Sequence, residues 1–516
     1  MSRMNNARKG IGFGIINNLL NILLPFVSRT IIIYALGNQY VGLSGLFVSI
    51  INVLNISELG FSAAVSYILY KPVADGDDDK VCAILGFARK CFAIIGSVVL
   101  AGGLIVLPFL KRFISGDVPS DINIYILYLF YLGNVVVSYL MFSYKRILFS
   151  ANQRYDIETN ISSVTLLIQY VLQIVLLLIF KNYYLYAIVI PIMTICNNLL
   201  CQYISKKKYP QYFCKGKISK SEIDALKKKV GGSFFSKVGE TIYLSVSNIV
   251  ISSFFGLVIL GQYGNYYYVI TSLIAIFAVI HNTMRPIIGN CIVTEDKNKN
   301  FQRFLDFDNI YIWVSAFCTA CLLSLYQDFI FVWVGKENMF AFILVILFAL
   351  NFFVGRISCV PSLYIEASGL WWESRYVTLA AALTNLVLAI VLSAVIGLEG
   401  VLIASIISSL CIMFGGRLII LFKYYFNKEQ RKKYIKTVLL ICVSSIGCIL
   451  VTFFVSNFIS AENILLLLIK GVVVVGIFGV SYLLLNVGNK NSRRIWKIAF
   501  SFIGIDKIIN KLTKRN

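Results

Sequence analysis

Polar side chains recur at helical spacing inside one of the long apolar stretches of this 516-residue chain. Asn52, Asn55, Glu58 and Ser62 follow one another at steps of three, three and four residues. Those steps place the four side chains on one face of a helix. Polar groups inside an apolar helix are costly unless they have a partner or a function, so this face predicts the lining of a polar cavity.

Basic side chains inside the apolar stretches indicate which ligand such a cavity suits. A charge deeper than the membrane interface costs about 2.5–3.5 kcal/mol on insertion scales, so it seldom persists without a function or a partner. Guanidinium and ammonium groups are the side chains that bind phosphate. We therefore predict a cationic site for a phosphate or pyrophosphate group, with the candidates Arg29, Arg356, Arg417 and Lys237.

Acidic residues leave an alternative open at the same positions. Lys237 and Glu240 are three residues apart and can form an ion pair on a helix, and Glu58 could neutralise one arginine. His281, the single histidine, is either a proton-coupling group or, as we favour, a packing residue. One histidine excludes multi-histidine metal sites and offers no nucleophile–histidine pair. The sequence therefore predicts no catalytic residue, no metal and no cofactor.

Long apolar stretches make up nearly the whole chain and must position these side chains. Hydrophobic residues are 59% of the sequence and charged residues are 14%. A stretch of about 18 or more apolar residues is long enough to cross a bilayer as a helix. Fourteen such stretches predict an all-α polytopic membrane protein with 14 transmembrane helices. They lie at residues 11–36, 41–69, 82–110, 122–144, 158–180, 183–204, 231–255, 261–284, 305–334, 339–365, 376–396, 400–422, 437–459 and 463–487.

Lysine and arginine residues alternate in abundance between successive loops. With a cytoplasmic N-terminus, the inner segments hold 36 of the 47 basic residues and the outer loops hold four. This asymmetry follows the positive-inside rule and predicts that the N- and C-termini are cytoplasmic. The net charge of +23 is then a signal of orientation and of attraction to anionic inner-leaflet lipids. A nucleic-acid partner is not predicted.

An internal repeat divides the chain. An offset of 219 residues pairs Gly12 with Gly231, Ser28 with Ser247, Gly37 with Gly256, Gly42 with Gly261 and Gly45 with Gly264. Repeats of this kind predict two pseudo-symmetric six-helix halves with the substrate between them. The predicted segments are an N-terminal lobe at 1–204, a basic cytoplasmic linker at 205–230, a C-terminal lobe at 231–425, two additional helices 13 and 14 at 426–487 and a basic amphipathic tail at 488–516.

The opening of the chain carries three features in a row. Arg29 lies late in the first stretch, a Gly-x-x-x-x-Gly turn follows from Gly37 to Gly42, and the run Glu-Leu-Gly-Phe begins at Glu58. With the fourteen stretches, the two halves and the additional pair of helices, this pattern is similar to the polysaccharide repeat-unit flippases of the O-antigen and capsule type. Those proteins belong to the multidrug/oligosaccharidyl-lipid/polysaccharide exporter superfamily. The resemblance covers most of the chain.

The resemblance implies a MATE-like fold and the flipping of undecaprenyl-pyrophosphate-linked oligosaccharide repeat units across a bacterial cytoplasmic membrane. Transport would proceed by alternating access and would serve surface polysaccharide biosynthesis. The arginines would replace the lost hydration of the phosphates. Asparagines would hydrogen-bond sugar hydroxyls, and the candidates are Asn17, Asn21, Asn52, Asn55 and Asn248. The implied partners are the lipid-linked glycan, anionic inner-leaflet lipids and polysaccharide polymerase machinery.

Relatives in the same superfamily supply the alternatives. A lipid II-type flippase of peptidoglycan precursors would share the cationic cavity and the two added helices. A cation-coupled multidrug antiporter would be expected to place acidic residues in its cation-binding helices. The first stretch carries Arg29 and no acid, which disfavours that alternative, although Glu58 and Glu240 keep it open. A membrane-embedded glycosyltransferase is disfavoured because the outer loops are short.

Overall fold

The computed structural model describes residues 3–58, 60–142 and 144–486. Within these ranges the side chains are described as well, except those of residues 3–18, Ser57, Ala63, 221–222, 224–233 and Asn486. The predicted amphipathic tail at 488–516 lies outside the described residues. Within them the regular secondary structure is helical, without a strand. The helices are α1 Arg3–Ala35, α2 Asn38–Leu54, α3 Phe61–Asp75, α4 Asp78–Val106, α5 Ile124–Leu140, α6 Tyr144–Ala151, α7 Tyr155–Phe180, α8 Tyr183–Lys208, α9 Lys220–Thr294, α10 Lys297–Val334, α11 Phe342–Ile357, α12 Cys359–Ala367, α13 Trp371–Ser374, α14 Val377–Ile396, α15 Glu399–Ile407, α16 Gly415–Tyr424, α17 Lys428–Ser456 and α18 Ile464–Asn486.

The lengths and apolar compositions of these helices are those of a multi-pass membrane protein. Ten helices of the described part are long and apolar enough to cross a membrane, or eleven if α5 and α6, bent by 53°, form one span. One of the ten, Phe234–Thr294, has 61 residues and covers two of the predicted stretches. It joins two helices across a kink at Gly256, whose backbone is not helical. The count of fourteen and the cytoplasmic termini stay predictions.

The surface of the helices is apolar, as a membrane requires. On α18, for example, Leu465, Val472 and Leu484 are all more than half exposed. Lipid can cover such side chains, and the backbone groups beneath them are already bonded within the helix.

Contacts group the described residues into two compact units. Unit 1 comprises the chain up to Asn265 together with Thr378–Val401, and unit 2 comprises Tyr266–Val377 together with the chain from Leu402 onward. In unit 1, α7 packs on α1 and α8, and α8 also packs on α5. In unit 2, α10 packs on α11, α17 and α18. The predicted lobes at 1–204 and 231–425 stay predictions.

Two buried polar contacts attach α17 and α18 to α10 in unit 2. Lys470 on α18 donates to Asp328 at 2.7 Å, and the lysine side chain is only 4% exposed. Tyr434 on α17 donates to Asp308 at 2.8 Å, and both residues are buried. The charge of Lys470 is one of the few inside the predicted spans, and the structure gives it a carboxylate partner.

Two glycines of the predicted repeat mark equivalent breaks in the backbone. Gly37, between α1 and α2, has φ 104° and ψ 171°. Gly256, inside α9, has φ 80° and ψ −177°. Glycine reaches this region because it has no Cβ. The offset of 219 therefore relates two breaks with similar backbone conformations.

Gly42 and Gly261 are another repeat pair, and they make a reciprocal contact within unit 1. A Cβ at Gly42 would overlap the carbonyl oxygen of Leu257, and a Cβ at Gly261 would overlap that of Asn38. Asn38 and Leu257 are themselves related by the offset of 219. α2 and α9 therefore approach each other closely at two points related by the repeat, and small residues permit that approach.

The predicted second span, 41–69, is interrupted in the structure. α2 and α3 are separated by a 3₁₀ turn that contains Asn55 and Glu58, followed by Gly60 with φ 85°. The prediction that Asn52 and the three polar residues after it share one continuous helical face is therefore wrong. The physical reason is the left-handed Gly60, because a right-handed helix of L-residues does not continue through a positive φ.

Candidate functional site

Arg29, on α1, is held by neutral groups of unit 1. Its Nε donates to Oδ1 of Asn265 at 2.7 Å, and a terminal nitrogen donates to the carbonyl of Gly261 at 3.3 Å. Asn265 is fully buried and donates to Oδ1 of Asn38 at 3.2 Å. Gly264 leaves room for the guanidinium, which a Cβ would overlap at that position. These contacts orient a charged donor without cancelling its charge, as an anion site requires.

Asn248 occupies the position that the repeat pairs with Arg29. Its Nδ2 donates to the hydroxyl of Ser49 at 2.9 Å, and that hydroxyl donates to the carbonyl of Gly45 at 2.8 Å. Equivalent positions of the repeat thus carry a guanidinium in one case and an amide in the other. The repeat is therefore not symmetric in charge.

The other predicted asparagines lie early in unit 1. Asn21 and Asn52 are exposed. Asn55 is half-buried, and its Oδ1 is buried without a hydrogen-bond partner among the described residues. Asn17 lies in α1, but its side chain is outside the described part. Asn55 is therefore the asparagine with an acceptor left for a ligand.

The acidic candidates of unit 1 have partners within the chain. Glu58 accepts a hydrogen bond from the hydroxyl of Ser62. Lys237 donates to Glu240 at 2.7 Å, and the two side chains are about half exposed. Exposed pairs at this spacing contribute only a few tenths of a kcal/mol. The ion pair considered as the alternative for Lys237 is confirmed, so this lysine is the weakest of the four cationic candidates.

Unit 2 brings Arg356 and Arg417 to the junction of α11 and α12. Arg356 lies in the last turn of α11, with its guanidinium 6.0 Å from the centre of the Phe277 ring. Its Nε is buried and has no hydrogen-bond partner among the described residues. Arg417, on α16, donates to the hydroxyl and the carbonyl of Ser358, two residues after Arg356. Two arginines far apart in the sequence thus lie near the same end of α11.

Glu366 forms the centre of a charged cluster in unit 2, although the sequence did not single it out. Its Oε2 lies 2.8 Å from a terminal nitrogen of Arg285 and 3.8 Å from Nε2 of His281. Arg417 also interacts electrostatically with this carboxylate. His281 therefore lies beside a carboxylate, and both interpretations of this histidine stay predictions.

The sequence signal for Glu366 was its position at the end of an apolar stretch. The predicted span 339–365 stops one residue before it, so Glu366 counted as a loop residue, whereas α12 continues to Ala367. Arg285 likewise follows the predicted span 261–284. Glu366 and Arg285 carry opposite charges and follow two spans that end at the same predicted side of the membrane. That pattern would have predicted the ion pair.

Arg146 is a second residue that the sequence did not single out, because it counted as a basic residue of a loop between predicted spans. It lies on α6, where a terminal nitrogen donates to Oδ1 of Asn197 and, at 3.0 Å, to Oδ1 of Asn198. Its Nε is buried and lacks a partner in the described part of the chain. The neighbouring Lys145 is buried and donates to the carbonyl of Tyr212 at 3.2 Å. Lys145 thus lies inside unit 1, and Arg146 is half-buried there with its Nε enclosed.

Long apolar helices with basic side chains buried among them define the class of the protein, a multi-pass membrane protein. Residues 7–291 match the polysaccharide biosynthesis protein family, and that match covers more than half of the sequence. The chain belongs to this family, which is part of the multidrug/oligosaccharidyl-lipid/polysaccharide exporter superfamily. A comparison with curated proteins found no match.

Solved structures of transporters share the fold. The chain is similar to the lipid II flippase MurJ in an inward closed conformation, with TM-score 0.65 and 15% identity over 92% of this chain and 99% of that one. An inward-facing multidrug resistance MATE transporter of the MOP superfamily gives TM-score 0.62 and 13% identity, over 82% of this chain and 96% of that one. The eukaryotic MATE transporter AtDTX14 gives TM-score 0.55 and 15% identity, over 84% of this chain and 99% of that one. These likenesses concern the fold.

Proposed function

We propose that this protein flips polyprenyl-pyrophosphate-linked oligosaccharide repeat units across a bacterial cytoplasmic membrane by alternating access, for surface polysaccharide biosynthesis. Membership of a polysaccharide biosynthesis family supports a lipid-linked glycan as the substrate. The observation that carries the proposal is Arg356, an arginine on an apolar helix whose buried Nε has no partner among the described residues. A buried donor without an acceptor costs about 1–3 kcal/mol, and more when it is charged. A phosphate oxygen of the substrate would supply that acceptor.

Arg29 and Arg417 support the same substrate class. The groups to which they donate, in Asn265, Gly261 and Ser358, are neutral hydrogen-bond acceptors. The planar guanidinium offers parallel N–H donors that match phosphate oxygens. The three arginines would thus replace the hydration that the pyrophosphate loses, while the polyprenyl tail stays in lipid.

The asparagines supply the neutral part of the proposed recognition. Oligosaccharide hydroxyls both donate and accept hydrogen bonds, and an amide can serve both functions. Asn55 has a buried acceptor without a partner in the described part of the chain, and Asn52 is exposed one helical turn before it. Asn17, Asn21 and Asn248 complete the proposed set. Anionic inner-leaflet lipids and polysaccharide polymerase machinery remain the proposed partners.

A lipid II-type flippase is the second candidate. The match to MurJ extends over 92% of this chain, and that protein is a lipid II flippase. Lipid II also carries a polyprenyl pyrophosphate, so the same arginines would serve it. The headgroup distinguishes the two candidates, because lipid II adds a peptide to its sugars.

Transport by the purified protein in liposomes tests the proposal. A polyprenyl-pyrophosphate oligosaccharide is placed in one leaflet, and its appearance in the other leaflet is followed. We expect protein-dependent movement that falls about tenfold or more in Arg29→Ala, Arg356→Ala and Arg417→Ala, since hydrogen bonds to charged groups contribute about 1.5–3 kcal/mol. Arg112→Ala is the matched control, because Arg112 is an exposed arginine in a predicted outer loop.

Three results would separate the candidates. Equal transport by all three arginine variants contradicts the cationic site. Faster movement of lipid II than of the oligosaccharide lipid favours the second candidate. Efflux of small organic cations without lipid movement indicates a drug antiporter and makes Glu58 and Glu240 the residues to change next.

A further inference from the structure

We propose that Glu366 is an exchangeable internal anion: when no substrate is bound, its carboxylate takes the place of a substrate phosphate in a diphosphate-binding site formed by Arg285, His281 and Arg417. The identity of the ligand rests on the proposed function. The inference adds two residues, Arg285 and Glu366, and states which anion offsets part of the positive charge when no substrate is bound.

The geometry around one oxygen atom carries the proposal. Oε2 of Glu366 forms an ion pair with a terminal nitrogen of Arg285 at 2.8 Å and lies 3.8 Å from Nε2 of His281. Arg417 acts on the same carboxylate electrostatically. A carboxylate oxygen and a phosphate oxygen accept the same charge-assisted hydrogen bonds. The groups that hold Glu366 are therefore the groups that would hold a phosphate.

The exposure of the cluster allows the exchange. Arg285 is 48% exposed and Glu366 is 18% exposed. By contrast, the lysine of the Lys470–Asp328 pair is only 4% exposed. A partly exposed ion pair is weak because water screens it, whereas breaking a buried pair leaves an uncompensated charge. An incoming anion can therefore reach the half-exposed guanidinium of Arg285 and take over its contact with Glu366.

Arg417 connects the cluster to the arginine that carries the proposed function. It donates to Ser358, two residues after Arg356, and it also acts on Glu366. Arg285 and Glu366 follow predicted spans at their cytoplasmic ends. Arg417 therefore interacts both with Glu366 and with the segment that follows Arg356.

Exchange of one anion for another would also make the site selective for anionic ligands. A neutral or cationic headgroup that displaced Glu366 would leave the cluster without its negative charge, so only an anion restores the balance. The cluster thus favours pyrophosphate lipids over neutral lipids and organic cations.

Binding of inorganic pyrophosphate to the purified full-length protein tests the proposal. Isothermal titration calorimetry in detergent would compare the wild type with Glu366→Gln, Arg285→Gln and the double variant. We expect Glu366→Gln to bind pyrophosphate at least about fivefold more tightly, the lower end of typical coupling between sites. Arg285→Gln should bind more weakly, and in its presence the gain from Glu366→Gln should fall below about twofold.

Glu295→Gln is the matched control for this experiment. Glu295 is also a glutamate of low exposure in unit 2, with Lys299 at 3.3 Å and Arg303 at 3.7 Å. We expect its pyrophosphate affinity to equal that of the wild type. If Glu366→Gln does not fold, Glu366→Asp serves instead, because its shorter carboxylate should compete less well and should tighten binding by a smaller factor.

Unchanged or weaker pyrophosphate binding in the folded Glu366 variant overturns the proposal, and so does an equal gain in Glu295→Gln. The liposome assay separates this failure from a failure of the proposed function. If the protein transports the lipid but Glu366→Gln has unchanged pyrophosphate affinity, only the proposal of an internal anion is contradicted. If Glu366→Gln binds pyrophosphate more tightly but the protein does not transport the lipid, the anion site is supported and the proposed flippase function is contradicted.

Discussion

The amide of Asn265 links two residues of unit 1 that lie far from it in the sequence. Its oxygen accepts from Nε of Arg29, and its nitrogen donates to Asn38. Asn265 is fully buried, so no water can replace either bond. The orientation of the Arg29 guanidinium therefore depends on this amide together with the carbonyl of Gly261.

Asn265→Leu tests that dependence. The leucine has a similar size but removes the acceptor, so the charged Nε of Arg29 loses a hydrogen bond that contributes about 1.5–3 kcal/mol. We expect a lower midpoint of thermal unfolding in detergent and transport reduced about as much as in Arg29→Ala. Asn282→Leu, an exposed position on the same helix, should change neither quantity. Equal unfolding midpoints for the two variants would contradict the role given to Asn265.

At the residue scale, the sequence located the charged side chains inside the apolar stretches but did not predict the residues that contact them. Arg29 and Arg356 were visible because a charge inside an apolar stretch is costly. Asn265 was not, since nothing local relates it to an arginine 236 positions earlier. Glu366 and Arg146 were assigned to loops, because hydropathy locates the end of a helix only to within a few residues.

The contact between α2 and α9 shows how the repeat operates at the element scale. Gly42 and Gly261 each face a backbone carbonyl of the other helix, and the two contacts are related by the same offset. Neither position has space for a methyl group. The close approach of these two helices therefore depends on the absence of two side chains.

Gly42→Ala and Gly45→Ala form a matched pair of tests on the same helix. Alanine at Gly42 would overlap the carbonyl of Leu257, whereas alanine at Gly45 has no neighbour within 4 Å. Overpacking costs about 1–3 kcal/mol, so we expect Gly42→Ala to unfold at a lower temperature. Gly45→Ala should be neutral or more stable by about 0.5–1 kcal/mol, because alanine favours a helix. The same unfolding midpoint in both variants would show that the helices do not meet at Gly42.

The elements themselves were only partly predictable. The repeat glycines Gly37 and Gly256 were expected at turns, and both have positive φ. The 3₁₀ turn at Asn55–Glu58 was not expected, because an isolated glycine such as Gly60 is tolerated inside many helical patterns. The packing of the tertiary structure decides whether such a glycine is helical, and a single sequence does not show that packing.

For the molecule as a whole, the sequence correctly predicted a helical, multi-pass membrane protein of the transporter fold. Composition and the length of the apolar stretches are sufficient for that conclusion, since only a few structures satisfy the backbone inside lipid. Composition does not show how the additional helices attach. Lys470 and Asp328 each look like an isolated charge until α18 is placed on α10.

Single substitutions at Lys470 and Asp328 should destabilise unit 2 strongly. Removing one partner of a buried ion pair leaves the other charge uncompensated, at a cost of about 3–5 kcal/mol. We expect Lys470→Leu and Asp328→Leu to lower the unfolding midpoint and the yield of folded protein, and the double variant to recover most of both. Lys432→Leu, at an exposed position on α17, is the control. Additive losses in the double variant would show that the two charges do not stabilise each other.

The pairing of Asp328 with Lys470 also orders events during biosynthesis. The two residues are 142 positions apart, which a ribosome covers in roughly 7–28 s at about 5–20 residues per second. For most of that interval the aspartate is outside the ribosome before its lysine has been synthesised. The insertion machinery must shelter α10 until α18 arrives. A nascent chain that stalls before Lys470 would therefore expose one acidic group to lipid, a defect that membrane quality-control proteases could recognise.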